Sequence, residues 1–280
     1  MAMTDPLADD PNAPADEATT PTIESIYDYP KYYDLLFGSD WRAEFDFLRG
    51  CFDRYAERPV RHLFEPACGT GRLLARFAAA GYAVGGNDLN AKAIDYCNDR
   101  LDRGGYGRPA VVGDMTAIDR THLPFEGAVD ASFNTINSFR HLCGEDLAEA
   151  HLTSLAEVTR PGGLYVLGLH LLPTTGSRSE EEAWTARRGN LQVNSYMWSK
   201  GIEGREEVLG MTLDVYTPTM HRRIEDEMRY FAYTREQFDD LLARVDCWEV
   251  LGTHDFAYDL DGTTEVTTAT EDVVFVLRRR

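Results

Sequence analysis

The chain reads as an α/β protein: a doubly wound, mainly parallel seven-stranded sheet with an inserted antiparallel β region. Three observations predict this. Between residues 61 and 171 short apolar runs alternate with helical periodicities, the pattern of parallel strands joined by crossovers on both faces. A glycine-rich turn, Cys68-Gly69-Thr70-Gly71, stands at the first strand-to-helix junction. Between 172 and 233 the rhythm changes to period two, which predicts antiparallel strands.

The elements follow in order. Residues 1–22 hold four prolines, five acidic residues and no basic or aromatic ones. Such a stretch buries too little apolar surface to offset its ordering entropy, so a disordered tail is expected. Tyr27, Tyr29, Tyr32, Tyr33, Leu35, Leu36 and Phe37 then form an aromatic segment, followed by Trp41, Phe45, Leu48 and Phe52 at helical spacing. Arg61–Glu65 predicts the first strand, and Leu73, Leu74, Phe77 and Ala78 the first crossover helix. Tyr82–Asn87 is the second strand, and Ile94, Cys97 and Leu101 mark the second helix. Ala110–Val112 and Val129–Phe133 are the third and fourth strands. Ala148, Leu152 and Leu155 mark a helix that ends at Pro161-Gly162-Gly163. Leu164–Leu169, almost wholly apolar, reads as a central strand. In the insertion, Leu191–Trp198, Val208–Tyr216 and His221–Tyr233 alternate as strands. Phe238, Leu241, Leu242 and Val245 mark a last helix. Trp248–Phe256 and Asp272–Leu277 close the chain as an edge hairpin.

Composition limits what the chain does. Its 280 residues are enough for a full core without disulfides or metals. Lys+Arg is 28 and Asp+Glu is 47, a net charge of −19. That disfavours nucleic-acid or membrane-surface partners, which require neutralised phosphates. The five cysteines are widely spaced, with no Cys-x-x-Cys pair and no Cys/His cluster, so neither a disulfide framework nor a metal site is signalled. The N-terminus lacks the basic-then-apolar pattern of a secretion signal, and the longest apolar stretch, 162–173, is too short to span a bilayer. A cytoplasmic chain with reduced thiols is the expectation.

The chemistry concentrates in Glu65-Pro66-Ala67-Cys68-Gly69-Thr70-Gly71-Arg72. Glycines there let the backbone pass close to a ligand and aim its N–H groups at it. Asp88, about 20 residues on, stands where open α/β sheets place a carboxylate for ribose hydroxyls. A plainer reading makes Asp88 a cap of the helix beginning near Asn90. A dinucleotide fingerprint wants a third glycine, where Leu74 stands, and a pyrophosphate would be repelled by Glu65. A nucleoside joined to an amino acid suits the pattern better.

Glu65-x-x-Cys-Gly-Thr-Gly-Arg, Asp88, Gly113-Asp114-Met115, Phe133-Asn134 and Arg160-Pro161-Gly162-Gly163, in that order, resemble the motif series of class I S-adenosylmethionine-dependent methyltransferases. The resemblance covers about residues 60–171 and implies a Rossmann-like fold. It divides the chain into the tail (1–22), an N-terminal helical cap segment (23–57), a cofactor-binding core (58–171), a β insertion over the acceptor site (172–233) and a C-terminal helix with edge strands (234–280). By resemblance, Gly69 and Gly71 approach the methionine part of S-adenosyl-L-methionine, with Glu65 near its amino group and Arg72 near its carboxylate. Asp88 binds the ribose, Leu89 packs on adenine, and Asp114 and the Met115 backbone read the adenine edge. Asn134 sits beside the sulfonium, and Tyr27 or Tyr33 closes over it, since an aromatic face suits a cation.

For proton transfer, His141 after the fourth strand is the candidate base, with Tyr33 the second catalytic candidate. A histidine that merely orients a loop is the alternative for His141. The implied reaction is methyl transfer to an N or O nucleophile of a small-molecule acceptor. A non-catalytic S-adenosylmethionine-binding module and an NAD-dependent oxidoreductase are the rival readings. Within the insertion stand Asn194, Tyr196, Trp198, Arg222, Glu225, Glu227, Arg229 and Tyr230; a half-buried sheet face accounts for most of them, and a few of the set are expected to contact the acceptor.

Overall fold

A computed structural model describes residues 24–38, 41–175 and 181–280, so the expected acidic tail at 1–22 lies outside the described residues. The chain builds two sheets. The larger contains β1 (His62–Pro66), β2 (Ala83–Asp88), β3 (Ala110–Val112), β4 (Val129–Asn134), β5 (Thr159–His170), β10 (Trp248–His254) and β11 (Asp272–Arg279). Their order is β10-β11-β5-β4-β1-β2-β3. β1 pairs in parallel with β2 and β4, as do β2 with β3 and β4 with β5; β11 runs antiparallel to β5 and to β10. The predicted seven-stranded sheet is thus present, and the C-terminal hairpin occupies its edge. The chain winds outward from β1 to β3 and returns through β4. The crevice beside β1 and β4 is therefore the switch point at which such sheets bind ligands.

The 164–169 stretch of β5 reads as an almost unbroken apolar run because both faces of the strand are covered. On β5, Leu164 and Val166 face one core with Phe47, Leu48, Leu63, Leu73, Phe77, Ile94 and Phe133. Tyr165, Leu167 and Leu169 face the other with Leu152, Leu155, Phe238, Leu241 and Phe275. The first core is roofed by α2 (Arg42–Tyr55), α3 (Leu74–Ala79) and α4 (Ala91–Arg103), the second by α5 (Glu145–Val158) and α6 (Arg235–Val245). Local signals set several ends. The Asn90 side chain accepts from Lys92 N and Ala93 N to start α4, and Thr234 and Gln237 form a reciprocal box at α6. No described helix is long and apolar enough to cross a membrane.

The inserted sheet has one more strand than the alternation showed: β6 (Glu181–Arg188), β7 (Leu191–Glu203), β8 (Glu206–Thr217) and β9 (Met220–Phe231), in sequential antiparallel order. Sequence reading missed β6 because Glu-Glu-Ala-Trp-Thr-Ala-Arg-Arg has little apolar alternation. One face of this sheet holds Val193, Met211, Leu213, Val215, Ile224 and Met228, which pack on Ile26, Leu35 and Leu36. Those last residues belong to a 3-10 turn (Ile26–Asp28) and to α1 (Pro30–Phe37), so the aromatic segment of the sequence is a short turn plus a separate helix.

α1 therefore lies between the inserted sheet and the core. Asp34, only 2 % exposed, fastens it there. Its carboxylate accepts from Thr70 Oγ1 at 3.2 Å and Tyr96 OH at 3.3 Å, and pairs with Arg100 at 2.5 Å and Arg188 at 3.5 Å. Asp34→Ala is expected to cost about 2 kcal/mol, since a charged group loses its partners in a largely buried place. The urea midpoint measures it. Hydrogen exchange across 30–37 should quicken more than across β4 and β5.

Candidate active site

The ends of β1, β2 and β4 open on a cavity of about 770 Å³, a size ordinary for small-molecule sites. Its floor is the turn after β1. Ala67, Gly69 and Gly71 all adopt positive φ, and Cys68 N donates to Asn87 O at 2.9 Å, which folds the turn back over β2. A side chain at Gly69 would meet open space, whereas a Cβ at Gly71 would lie 2.2 Å from Cys97 Sγ. Only Gly69 is thus in the cavity wall. Gly71 has a packing role as well, since no side chain fits between the turn and Cys97 of α4.

Asp88 ends β2 facing the cavity. Its Oδ2 accepts from Gly69 N at 2.9 Å and its Oδ1 from Asn90 N at 2.8 Å. Burial raises its pKa, and those two backbone donors oppose the rise. The helix cap itself is Asn90, so Asp88 stays aimed at the crevice while it fixes the turn. Leu89 lines the wall and is 71 % exposed, an apolar surface with nothing over it but the cavity. Met115 lines the same end. His151 holds it: a carbonyl only accepts, so His151 Nδ1 donates to Met115 O at 2.8 Å, and Tyr165 OH donates to Nε2 at 3.0 Å.

Four further predicted residues are not among those lining the cavity. Asp114 is exposed and caps the 3-10 turn Met115–Ala117 by accepting from Thr116 N, outside the wall. Arg72 is buried and committed to Glu44 of α2 at 2.6 Å, so its expected pairing with a ligand carboxylate is incomplete at best: only Nη1 is left without a partner. Asn134 is buried, with Nδ2 donating to Pro66 O across the β1–β4 seam and Oδ1 unpartnered. Glu65 is buried behind the turn with Oε2 unpartnered, and burial raises its pKa well above the usual carboxylate range. These three orphaned atoms fit an amino-acid ligand end. An ammonium satisfies Glu65 and a carboxylate satisfies Arg72 Nη1, each where an unmade hydrogen bond otherwise costs about 1–3 kcal/mol.

The roof comes from the N-terminal segment and the inserted sheet. Tyr27 OH lies 2.9 Å from His141 Nε2, and the Tyr27 and Tyr33 rings are 5.4 Å apart. Phe37 meets Trp184 edge-on at 5.5 Å, and His141 meets Tyr230 at 4.7 Å. Met197, Leu209, Met211 and Met228 complete an apolar wall. One buried ion pair interrupts it: Arg140 Nη2 to Glu207 Oε2 at 2.7 Å, with Ser199 Oγ donating to Glu207 Oε1. Burial pushes the His141 pKa down to about 4, and it raises Tyr27 and Tyr33 well above the usual phenol range. His141 is therefore neutral and already engaged at Nε2, and Tyr33 stays a phenol.

Of the insertion candidates, Trp198 and Tyr230 line the cavity; Asn194, Tyr196, Arg222, Glu225, Glu227 and Arg229 do not. Trp184, Met197, Met211, Met228, Arg140 and Glu207 were missed. Alternation showed two faces in β7 and β8, but both carry large apolar residues, so the inward face was not legible.

Burial holds His151 at about 4 and His141 at about 4, against about 6.5 when unfolded. The unfolded chain takes these protons first. The stability owed to the neutral rings is complete above pH 6.5 and is lost as pH falls toward 4, by up to about 1.4 kcal/mol per unit and per group. His151→Leu should flatten that acid slope, read as Tm between pH 7.5 and 5, even though the variant is less stable at neutral pH.

Residues 64–163 match the family model described as a methyltransferase domain. The sequence matches none of the curated proteins. Solved structures share the fold across nearly the whole chain. DesVI of Streptomyces venezuelae superposes with a TM-score of 0.74 at 19 % identity, covering 90 % of this chain and 98 % of that one. CalS10 of Micromonospora echinaspora, an amino pentose methyltransferase solved with S-adenosylmethionine bound, gives 0.69 at 21 %, covering 92 % and 100 %. KedS8 of a Streptoalloteichus species, a sugar N-methyltransferase, gives 0.69 at 18 %, covering 100 % and 98 %. Residues 64–163 thus match a methyltransferase-domain model, and the chain as a whole has the fold of these solved methyltransferases.

Proposed function

We propose that the protein transfers the methyl group of S-adenosylmethionine to a nitrogen or oxygen of a small-molecule acceptor. One observation carries this: a single cavity joins the Gly69–Asp88–Leu89–Met115 edge to a second chamber walled by Trp184, Met197, Leu209 and Met228. The first part suits a nucleoside, and the second has room and chemistry for another molecule. A purely cofactor-binding module has no need of the second chamber.

S-adenosylmethionine supplies an electrophilic methyl on a sulfonium that is already a good leaving group. The chain's own work is alignment and exclusion of water. Asp88 offers its outward lone pairs to ribose hydroxyls from a position fixed by two backbone donors. Leu89 and Met115 bracket a flat base. Glu65 and Arg72 accept the amino-acid end. The Tyr27 and Tyr33 faces lie over the chamber, where neutral rings favour a positive sulfur. His141 orients Tyr27 through their hydrogen bond. The acceptor rests on the methionine and tryptophan wall. Because CalS10 and KedS8 are named for amino sugar and sugar substrates, amino sugars are the first acceptors to try.

Calorimetric titration with S-adenosylmethionine, S-adenosylhomocysteine and NAD tests the reading: the first two should bind and NAD should not. Asp88→Ala should weaken S-adenosylhomocysteine about a hundredfold or more, the loss of two charge-assisted hydrogen bonds. Asp88→Asn, which still accepts from Gly69, separates ribose binding from loop folding. Wild-type affinity in both variants would overturn the assignment of Asp88.

A further inference from the structure

A second histidine faces the chamber, unannounced by any motif. His170 is the last residue of β5, and its register partner on β11 is Asp272. Both line the cavity. His170 Nδ1 lies 2.9 Å from Asp272 Oδ1, and His170 N donates to Asn137 Oδ1 at 2.6 Å. That second bond fixes the backbone that carries the ring, from a turn where Asn137 itself has positive φ.

The chemistry follows from the donor rules. An ionised carboxylate only accepts, so in the neutral ring Nδ1 carries the hydrogen and Nε2 keeps its lone pair. Among the described residues Nε2 has no hydrogen-bond partner. The pair is 22 % and 48 % exposed, so as an ion pair it adds little to stability, and its effect is on tautomer and orientation. His141 offers the opposite: a buried ring whose Nε2 is taken by Tyr27. The other titratable groups around the chamber are Tyr27 of the 3-10 turn, Tyr33 of α1, Asp88 of β2, Arg140 and His141 after β4, Glu181 and Glu182 of β6, Glu207 of β8 and Tyr230 of β9. Asp272 is the one that meets the His170 ring directly.

We propose that His170, oriented by Asp272, takes the proton that the acceptor loses on methylation; this rests on the methyl-transfer reading. The acceptor lone pair forms the bond to the methyl carbon. The carbon–sulfur bond breaks, and its electron pair stays on sulfur as the neutral thioether of S-adenosylhomocysteine. The acceptor N–H or O–H, acidified by the charge it has gained, passes its proton to His170 Nε2. Asp272 balances the imidazolium, and the half-exposed pair returns the proton to solvent.

The test uses the full chain, His170→Gln and Asp272→Asn, with S-adenosylmethionine tritiated on its methyl and a panel of free amino sugars. S-adenosylhomocysteine should bind all three proteins within about twofold, and Tm should be unchanged in Asp272→Asn. In His170→Gln, kcat should fall about a hundredfold or more, with KM for S-adenosylmethionine unchanged and the acid limb of the pH–rate profile gone. Asp272→Asn should lose about tenfold in kcat by freeing the wrong tautomer. Wild-type kcat and an unaltered pH profile in His170→Gln would sink the proposal while leaving methyl transfer intact. Failure of the wild type to bind S-adenosylhomocysteine would sink both. If the cofactor product binds and no amino sugar is methylated, long-range nitrogen NMR of the His170 ring decides. Hydrogen on Nδ1 in the wild type, mixed in Asp272→Asn, supports the dyad, and hydrogen on Nε2 of the neutral ring overturns it.

Discussion

The site depends on one buried carboxylate. Asp34 belongs to α1, yet its partners are the glycine turn through Thr70, α4 through Tyr96 and Arg100, and the inserted sheet through Arg188. A carboxylate out of water persists only when surrounded by donors. Here the donors come from three other parts of the fold, so satisfying one charge fixes the placement of α1, the turn, α4 and the inserted sheet relative to one another. Tyr27 and Tyr33 inherit their positions from that joint. Two further buried pairs extend the principle: Glu44–Arg72 anchors α2 to the turn, and Arg140–Glu207 anchors the loop after β4 to β8.

What the sequence showed was local. The turn after β1, Asp88 at the end of β2 and Asn90 as cap lie within a short stretch of chain, and their chemistry follows from neighbours in sequence. The parallel sheet was legible because short strands alternate with helical periodicities, and because burial on both faces makes the 164–169 stretch of β5 almost wholly apolar. What stayed hidden was set by long-range register. His170 and Asp272 are far apart in sequence and meet only because β11 pairs with β5 as it does. A shift of one residue would send them to opposite faces. Arg72 looked like a ligand group because it follows the glycine turn, but Glu44 on a preceding helix claims it. Asp114 had a stronger local use, capping its own turn. In the insertion, β6 lacked alternation, and β7 and β8 had it on two plausible faces.

The chamber also shows a division of labour between aromatic and charged groups. Its wall of methionine, tryptophan and tyrosine lowers the local dielectric, which strengthens each electrostatic interaction within. The same burial keeps His141 neutral and the tyrosines protonated. These groups shape a field without exchanging protons. Proton traffic is left to the half-exposed rim, where water can complete the circuit.

The roof has a consequence for how the chain acquires a working site. Ile26 N donates to Asp226, 200 residues away, and Glu24 N donates to Glu225 O beside it. During synthesis from the N-terminus, α1 and its tyrosines emerge long before the sheet they pack on. The core around β1, β2 and β3 has its strands early, but the chamber has no ceiling until about residue 230 has left the ribosome. Contacts this distant pay their loop-closure entropy before they gain anything. The chamber is therefore among the last features to form and the first to open on local unfolding. A nascent or truncated chain lacking β9 would carry the glycine turn and Asp88 with no enclosed volume above them.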